Sequence, residues 1–224
     1  PFSSNFLMLS FLLLSAVLVL AADSDHEQIA TFAGGCFWSI ELAFQRLPGV
    51  VSTRVGYTGG ESPNPTYSSV VTGGTGHAES VRITWDKRIT TYRTLVEYFL
   101  HLHDPTSLNK QGQDVGTQYR SHIWYHSTAQ YNTAMTALRE YDERRQYVHK
   151  KVVTQVTPAG KFWDAEEYHQ RFLEKDGQDS EKGSQDSIQC YGHRGPVKQM
   201  DHGRIGELLE GLVLPEKLHA HSEL

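Results

Sequence analysis

Cys36 follows Gly34 and Gly35 and precedes Phe37 and Trp38. Before the glycines, Gln28 to Phe32 alternates loosely, as a short strand would. After the cysteine, Phe37, Ile40, Phe44 and Leu47 recur at helical spacing, and Pro48-Gly49 stops the run. The cysteine is therefore predicted at a strand-to-helix junction, on a helix N-terminus. Unpaired N–H groups and a partial positive charge there favour thiolate and lower the thiol pKa. The glycines let a second molecule approach the backbone closely. Phe37 and Trp38 would wall an apolar pocket beside the sulfur. This placement favours a reactive cysteine over a buried, inert one.

Two long stretches, Thr58 to Gly76 and Asp104 to Arg120, are rich in Gly, Ser, Thr and polar residues and read as loops. Structureless connections beyond about 12–15 residues are uncommon in a compact domain unless they are functional. These carry Tyr67, His77, Glu79 at the end of the first, Asp114 and Tyr119. Two phenols and two carboxylates on loops make a plausible polar site. The second cysteine, Cys190, lies beyond a polar stretch, Asp176 to Gln189. Two readings are open for it. A secreted chain would use a structural Cys36–Cys190 disulfide. Alternatively, Cys190 condenses with a sulfenic acid formed on Cys36. Both predict the same bond and differ in whether it opens and closes during turnover. The twelve histidines prompt a metal hypothesis, but His101 and His103 are two apart, off a common helix face, and no HExxH occurs. Cys190, His193 and His202 fall in the tail. No metal site is expected.

The elements that position these residues follow from periodicity. Val50 to Tyr57 reads as a strand, Ser80 to Trp85 as another, and Thr91 to His103 as a helix through Leu95, Val96, Phe99 and Leu102. Ser121 to His126 reads as a strand. With the first strand and helix this gives β-α-β-β-α-β, the split order of a ferredoxin-like sheet. A helix is predicted over Thr128 to Arg145, a strand over Lys151 to Val156 and a short helix over Ala165 to Glu174. From Asp176 onward the composition predicts a flexible tail. The fold class read from this order is α+β: a ferredoxin-like sheet with a long irregular C-terminal tail. The catalytic domain is placed at 23–175 and the tail at 176–224.

The 224 residues carry 21 Lys plus Arg against 26 Asp plus Glu, a net charge of −5, which argues against a general nucleic-acid binder. Two cysteines exclude a disulfide-dense scaffold and a four-cysteine metal centre. Phe6 to Leu20 is apolar except for Ser10 and Ser15 and ends in Ala21-Ala22 before an acidic patch. It is shorter than the roughly 20 residues of a spanning helix. Residues 1–22 are expected to be a signal peptide with an incomplete start, and no stable membrane insertion is expected. The last four residues, His221-Ser222-Glu223-Leu224, differ from HDEL at one position. The expected location is the endoplasmic reticulum lumen, with secretion as the alternative.

Several motifs in order resemble one family. Gly34-Gly35-Cys36-Phe37-Trp38, Gly76-His77-Ala78-Glu79, Asp114-Val115-Gly116-Thr117-Gln118-Tyr119-Arg120-Ser121 and Ala165-Glu166-Glu167-Tyr168-His169-Gln170 look like motifs of A-type peptide methionine sulfoxide reductases. Tyr67, in Asn64-Pro65-Thr66-Tyr67, matches a tyrosine that family places before the Glu motif. The resemblance spans roughly Ile29 to Leu173, with a weaker echo around Cys190. It implies a two-layer α/β sandwich and reduction of methionine S-sulfoxide in proteins and as the free amino acid. It implies that Cys36 attacks the sulfoxide sulfur and Glu79 protonates its oxygen. Tyr67 and Tyr119 would hydrogen-bond that oxygen, Asp114 would order the polar groups, and Phe37 and Trp38 would hold the S-methyl group. Cys190 would resolve the sulfenic acid, and a thioredoxin-like dithiol (dithiothreitol in vitro) would reduce the disulfide. No bound cofactor is implied, and a monomer is expected. Two departures stand out: Ser39 where the family has Gly, and Lys182-Gly183-Ser184 where some relatives carry a second tail cysteine. Two rivals remain at this level. One is a papain-like thiol hydrolase with His169 as base, although Cys-Gly-Ser-Cys-Trp is absent. The other is a secreted binding domain stapled by one disulfide.

Overall fold

The structure is a computed structural model and describes residues 26–144 and 150–190. The expected signal segment, the histidines of the tail and the retention-like terminus lie outside the described residues.

The elements run β1 (Glu27–Ala33), α1 (Phe37–Arg46), β2 (Val50–Thr58), α2 (Tyr67–Val70), β3 (Ala78–Asp86), α3 (Tyr92–Leu102), β4 (Lys110–Gln111), β5 (Asp114–Val115), a 3₁₀ turn (Thr117–Tyr119), β6 (His122–Tyr125), α4 (Thr128–Arg144), β7 (Gln155–Pro158), β8 (Trp163–Asp164) and α5 (Phe172–Lys175). The main sheet has the order β7-β6-β1-β3-β2-β8. Its centre, β6-β1-β3-β2, is antiparallel throughout and is the ferredoxin-like arrangement the sequence predicts. β7 adds to one edge parallel to β6, and β8 adds to the other antiparallel to β2, so the sheet is mixed.

One aromatic side chain shows how the layers meet. Phe32 alternates with Thr31 and Ala33 and so points to one face of β1. Its ring stacks on Phe44 of α1 at 5.4 Å and on Phe99 and Tyr92 of α3 at 4.9 and 6.3 Å. Both helices therefore cover that face. Val81 and Ile83 of β3, paired with Phe32 and Ala30, lie in the same core. Glu79 has the parity of Val81 and Ile83, so the strand that builds the core also carries this carboxyl to the helix face, at the end of β3 nearest the start of α1. The other face holds Ala33, Ala78 and Trp124.

Four predicted elements differ from those observed. Glu79 lies within β3, because the strand begins two residues before the predicted Ser80. The strand predicted over Lys151–Val156 becomes Gln155–Pro158. Val152 N donates to Asp142 and Val153 N to Pro105 O, so pairing with β6 starts only at Gln155. The helix over Ala165–Glu174 shrinks to Phe172–Lys175. Gln170 spends its amide on Val55 N, Val55 O and Ala165 O, and Arg171 turns into the left-handed region at φ 53°. Finally, residues 176–190 do not behave as polar composition suggests. Ile188 is buried in the core, and Gln178 and Gln189 exchange hydrogen bonds at 2.6 and 3.0 Å.

Candidate active site

The β1–α1 junction works as the sequence predicts. Gly35 has φ +98°, and a Cβ there would meet the Gln111 side chain at 2.7 Å; a Cβ on Gly34 would meet Phe99 at 2.9 Å. Only glycine lets this turn press against α3 and β4. Cys36 then occupies the N-cap of α1, with its sulfur facing the Trp38 N–H of the first turn. Ser39, the departure in this motif, donates to Cys36 O at 3.1 Å and fits the first turn.

Cys36, Phe37, Trp38, Tyr67, Glu79, Asp114 and Tyr119 line one cavity of about 80 Å³. The two long loops supply three of the seven, and both are less irregular than their composition implies. The first contains α2, whose first residue is Tyr67; Thr66 caps it by accepting from Ser69 N. The second folds as the β4–β5 hairpin, which carries Asp114, and the 3₁₀ turn, which ends at Tyr119. Of the eight residues singled out for the site, these seven line the cavity and Cys190 lies against the Cys36 sulfur. His77 does not line it: its ring bonds Gly60 N and Ser62 O and holds the first loop closed.

Glu79 is 2% exposed, and its Oε2 accepts from Phe37 N at 3.1 Å. One orphan N–H of α1 is thus given to a carboxyl rather than to a cap. Burial pushes the Glu79 pKa up to about 8, more than that single hydrogen bond can offset. At pH 7 most Glu79 is therefore protonated and able to donate. Burial and the Glu79 charge also raise Tyr67 and Tyr119, so both phenols stay neutral donors.

The thiol departs from the sequence expectation. Cys190 Sγ lies 3.3 Å from Cys36 Sγ, both as free thiols. Cys36 is raised well above the ordinary thiol range by the Cys190 hydrogen bond, by burial and by the Glu79 charge; the Trp38 N–H is the group that lowers it. The helix N-terminus alone does not make a resting thiolate here, because a second thiol and a carboxyl lie beside the sulfur. Protonating Glu79 removes one of those three opposing influences.

The segment after β8 contributes what sequence reasoning missed. Glu166 accepts from Tyr67 N at 2.9 Å and from Tyr57 OH at 2.9 Å, joining α2 to β2. His169 Nδ1 accepts from Trp38 Nε1 at 3.1 Å, and its ring packs 4.6 Å from Tyr67 and 5.2 Å from Phe37. Trp38 also stacks on Phe172 at 3.9 Å. The Ala165–Gln170 motif therefore holds two walls of the cavity in place. The available signals were the family-like motif itself, in which neither residue was given a site role, and the Glu166/His169 spacing of three, which puts both on one side of a turn. The thiol-hydrolase rival loses its base here, since His169 Nδ1 is engaged by the Trp38 indole. His101 and His103, the metal candidates, bond Glu97 O, Phe99 O and Ser121 instead.

The family model described as peptide methionine sulfoxide reductase matches residues 28–191. Peptide methionine sulfoxide reductase A2-1 of Oryza sativa subsp. japonica is 49% identical over 172 residues, covering 77% of this chain and 90% of that protein. Peptide methionine sulfoxide reductase MsrA of Methanothermobacter thermautotrophicus is 52% identical over 152 residues, covering 68% and 89%. Methionine sulfoxide reductase A of Corynebacterium diphtheriae superposes with a TM-score of 0.67 at 33% identity, over 75% of this chain and 79% of that one. Mxr1 from Saccharomyces cerevisiae in its reduced form gives 0.64 at 35% identity, over 69% and 88%. The order of motifs, the sheet and the cavity thus have one common explanation: the chain belongs to the peptide methionine sulfoxide reductase family.

Proposed function

We propose that this chain reduces the S epimer of methionine sulfoxide, in peptides and as the free amino acid, through Cys36 and Cys190. The observation that carries the reading is a small cavity in which Cys36 meets a protonated, buried carboxyl, with a second thiol, Cys190, 3.3 Å from the Cys36 sulfur.

A sulfoxide oxygen leaves poorly until it gains protons. Glu79 supplies a proton, and the Tyr67 and Tyr119 hydroxyls donate hydrogen bonds where the charge changes. Cys36 loses its thiol proton to solvent as its sulfur attacks the sulfinyl sulfur. The oxygen and two oxidising equivalents pass to Cys36, giving methionine and a sulfenic acid. Cys190 then attacks the sulfenic sulfur; the S–O bond breaks, the S–S bond forms, and the hydroxyl leaves with the thiol proton as water. An external dithiol reopens the bond by exchange, and a thioredoxin-like protein fits that role. The cavity also accounts for selectivity. Phe37 and Trp38 form an apolar side and Glu79, Asp114 and the two tyrosines a polar one. Methyl and oxygen must take opposite sides while the third carbon leaves by the mouth, so only one configuration presents its sulfur to Cys36. Passage through the secretory pathway is proposed on the apolar run of Phe6 to Leu20.

The test is turnover of separate S and R epimers of a methionine sulfoxide peptide with dithiothreitol. The wild type should reduce the S epimer and spare the R epimer, and Cys36→Ser should reduce neither. A folded, reduced wild type that leaves both untouched would refute the reading.

A further inference from the structure

Cys190 reaches the N-terminal end of α1, yet the segment carrying it is fastened at the opposite end. The last carbonyls of a helix have no partners within it and carry its partial negative charge. Here they are gathered by the tail. Lys182 Nζ donates to Gln45 O, to Val50 O at 2.8 Å and to Leu47 O at 3.3 Å, so each of its three N–H bonds has one carbonyl. Gly183 N donates to Arg46 O at 2.7 Å. In return the Arg46 guanidinium, on a residue 2% exposed, donates to Asp179 O at 2.7 Å and to Asp186 O. The clasp is thus reciprocal. A cation from the tail closes the helix, and a cation from the helix closes the tail on both sides of Lys182.

The distances fit a second role. Ten residues of α1 span about 15 Å. From Gly183 to Cys190 is seven residues, which reach at most about 25 Å when extended. The segment is therefore long enough to pass from one end of α1 to the other with about 10 Å to spare; Ile188 is buried on the way, and Cys190 arrives 3.3 Å from Cys36.

We propose that Lys182 is a positioning residue for the resolving step: its clasp on the C-terminal carbonyls of α1 holds Cys190 at the sulfur it must attack. The step served is the condensation of Cys36 sulfenic acid with the Cys190 thiol, losing water. This rests on the resolving role given to Cys190 above. Releasing the clasp turns a held thiol into a tethered one, which lowers its effective concentration while leaving the cavity residues untouched.

The experiment compares the full reduced chain, Lys182→Met and Lys182→Arg in single turnover without reductant. One arm uses the S-sulfoxide peptide and a second uses hydrogen peroxide to oxidise Cys36 directly. Methionine release, loss of both free thiols and dimedone capture at Cys36 are followed in parallel. Lys182→Met should release methionine at the wild-type rate. Its disulfide should form at least about tenfold more slowly, with a dimedone adduct accumulating, in both arms. Lys182→Arg, which keeps charge and donors, should recover most of the rate. Disulfide formation at the wild-type rate in Lys182→Met would overturn the proposal, and so would equal slowing of methionine release and disulfide formation. A wild type that releases no methionine would sink the reductase reading instead, and the peroxide arm would still decide the clasp.

Discussion

The two ends of α1 are opposite in chemistry as well as in polarity. At the N-terminal end the cap is a cysteine, one N–H is given to a carboxyl held above its ordinary pKa, and two thiols face each other. At the C-terminal end the carbonyls of Gln45, Arg46 and Leu47 accept from Lys182 or Gly183. Each end has the same number of orphan backbone groups to satisfy. One end is satisfied for stability; the other leaves reactive groups incompletely satisfied. The lesson is that a single ten-residue helix separates anchoring from chemistry by about 15 Å, while one tail segment touches both.

Substitutions at the two ends should therefore break different properties. The largest effect is expected from Cys36→Ser, which removes the nucleophile; sulfoxide reduction should fall to background while thermal unfolding stays within a few degrees of wild type. Glu79→Gln comes next, with a loss of about 10²–10⁴ in the rate of methionine release in single turnover. The same residue sets two pH dependences. Because the acid form is required, methionine release should decline as pH rises through about 8. Stability moves in the same direction. The folded chain holds a proton on Glu79 between the ordinary carboxyl range and about 8, so folding binds a proton there and stability falls as pH rises across that window. Over the whole window the loss is of order 3–5 kcal/mol. Denaturation of Glu79→Gln should lack this slope and be more stable than wild type at pH 8–9.

At the other end, Arg46→Ala strands the Asp179 and Asp186 carbonyls and should cost about 1–3 kcal/mol in chemical denaturation, with methionine release in single turnover little changed. The smallest effect is expected at Ser39, where Gly restores the family residue at the cost of a Cys36 O hydrogen bond and helix propensity. Ser39→Gly should lose about 0.5 kcal/mol and keep activity within about twofold. A large activity loss there would mean that the helix start itself tunes the thiol.

What could be read from residues differs between the two ends for physical reasons. The N-terminal end was legible because its signals are local: glycines, a cysteine, aromatic residues and helical periodicity lie within fifteen positions. The β-α-β-β-α-β order was legible for the same reason, since alternation and the 3.6-residue period are short-range patterns. Glu79 was recognised by motif but misplaced to a loop, because a buried carboxyl ends the alternation on which strand reading depends. The raised Cys36 pKa was not legible, as it comes from Cys190, 154 positions away, and from Glu79. The clasp was hidden in the same way. Lys182 and Arg46 look like ordinary surface cations until the fold gives them backbone carbonyls. Glu166 and His169 sat in a recognised motif, but their partners Tyr57, Tyr67 and Trp38 are supplied only by tertiary packing.

The central claim is that oxygen passes from the sulfoxide to Cys36 before Cys190 takes part. Its most direct test is a single turnover of reduced Cys190→Ser with the S-sulfoxide peptide and no reductant, followed by intact-mass and peptide mapping. One equivalent of methionine per chain, with one added oxygen or a dimedone adduct on Cys36 and none elsewhere, is the predicted result. Release of no methionine, or of methionine with Cys36 left as an unmodified thiol, would contradict it.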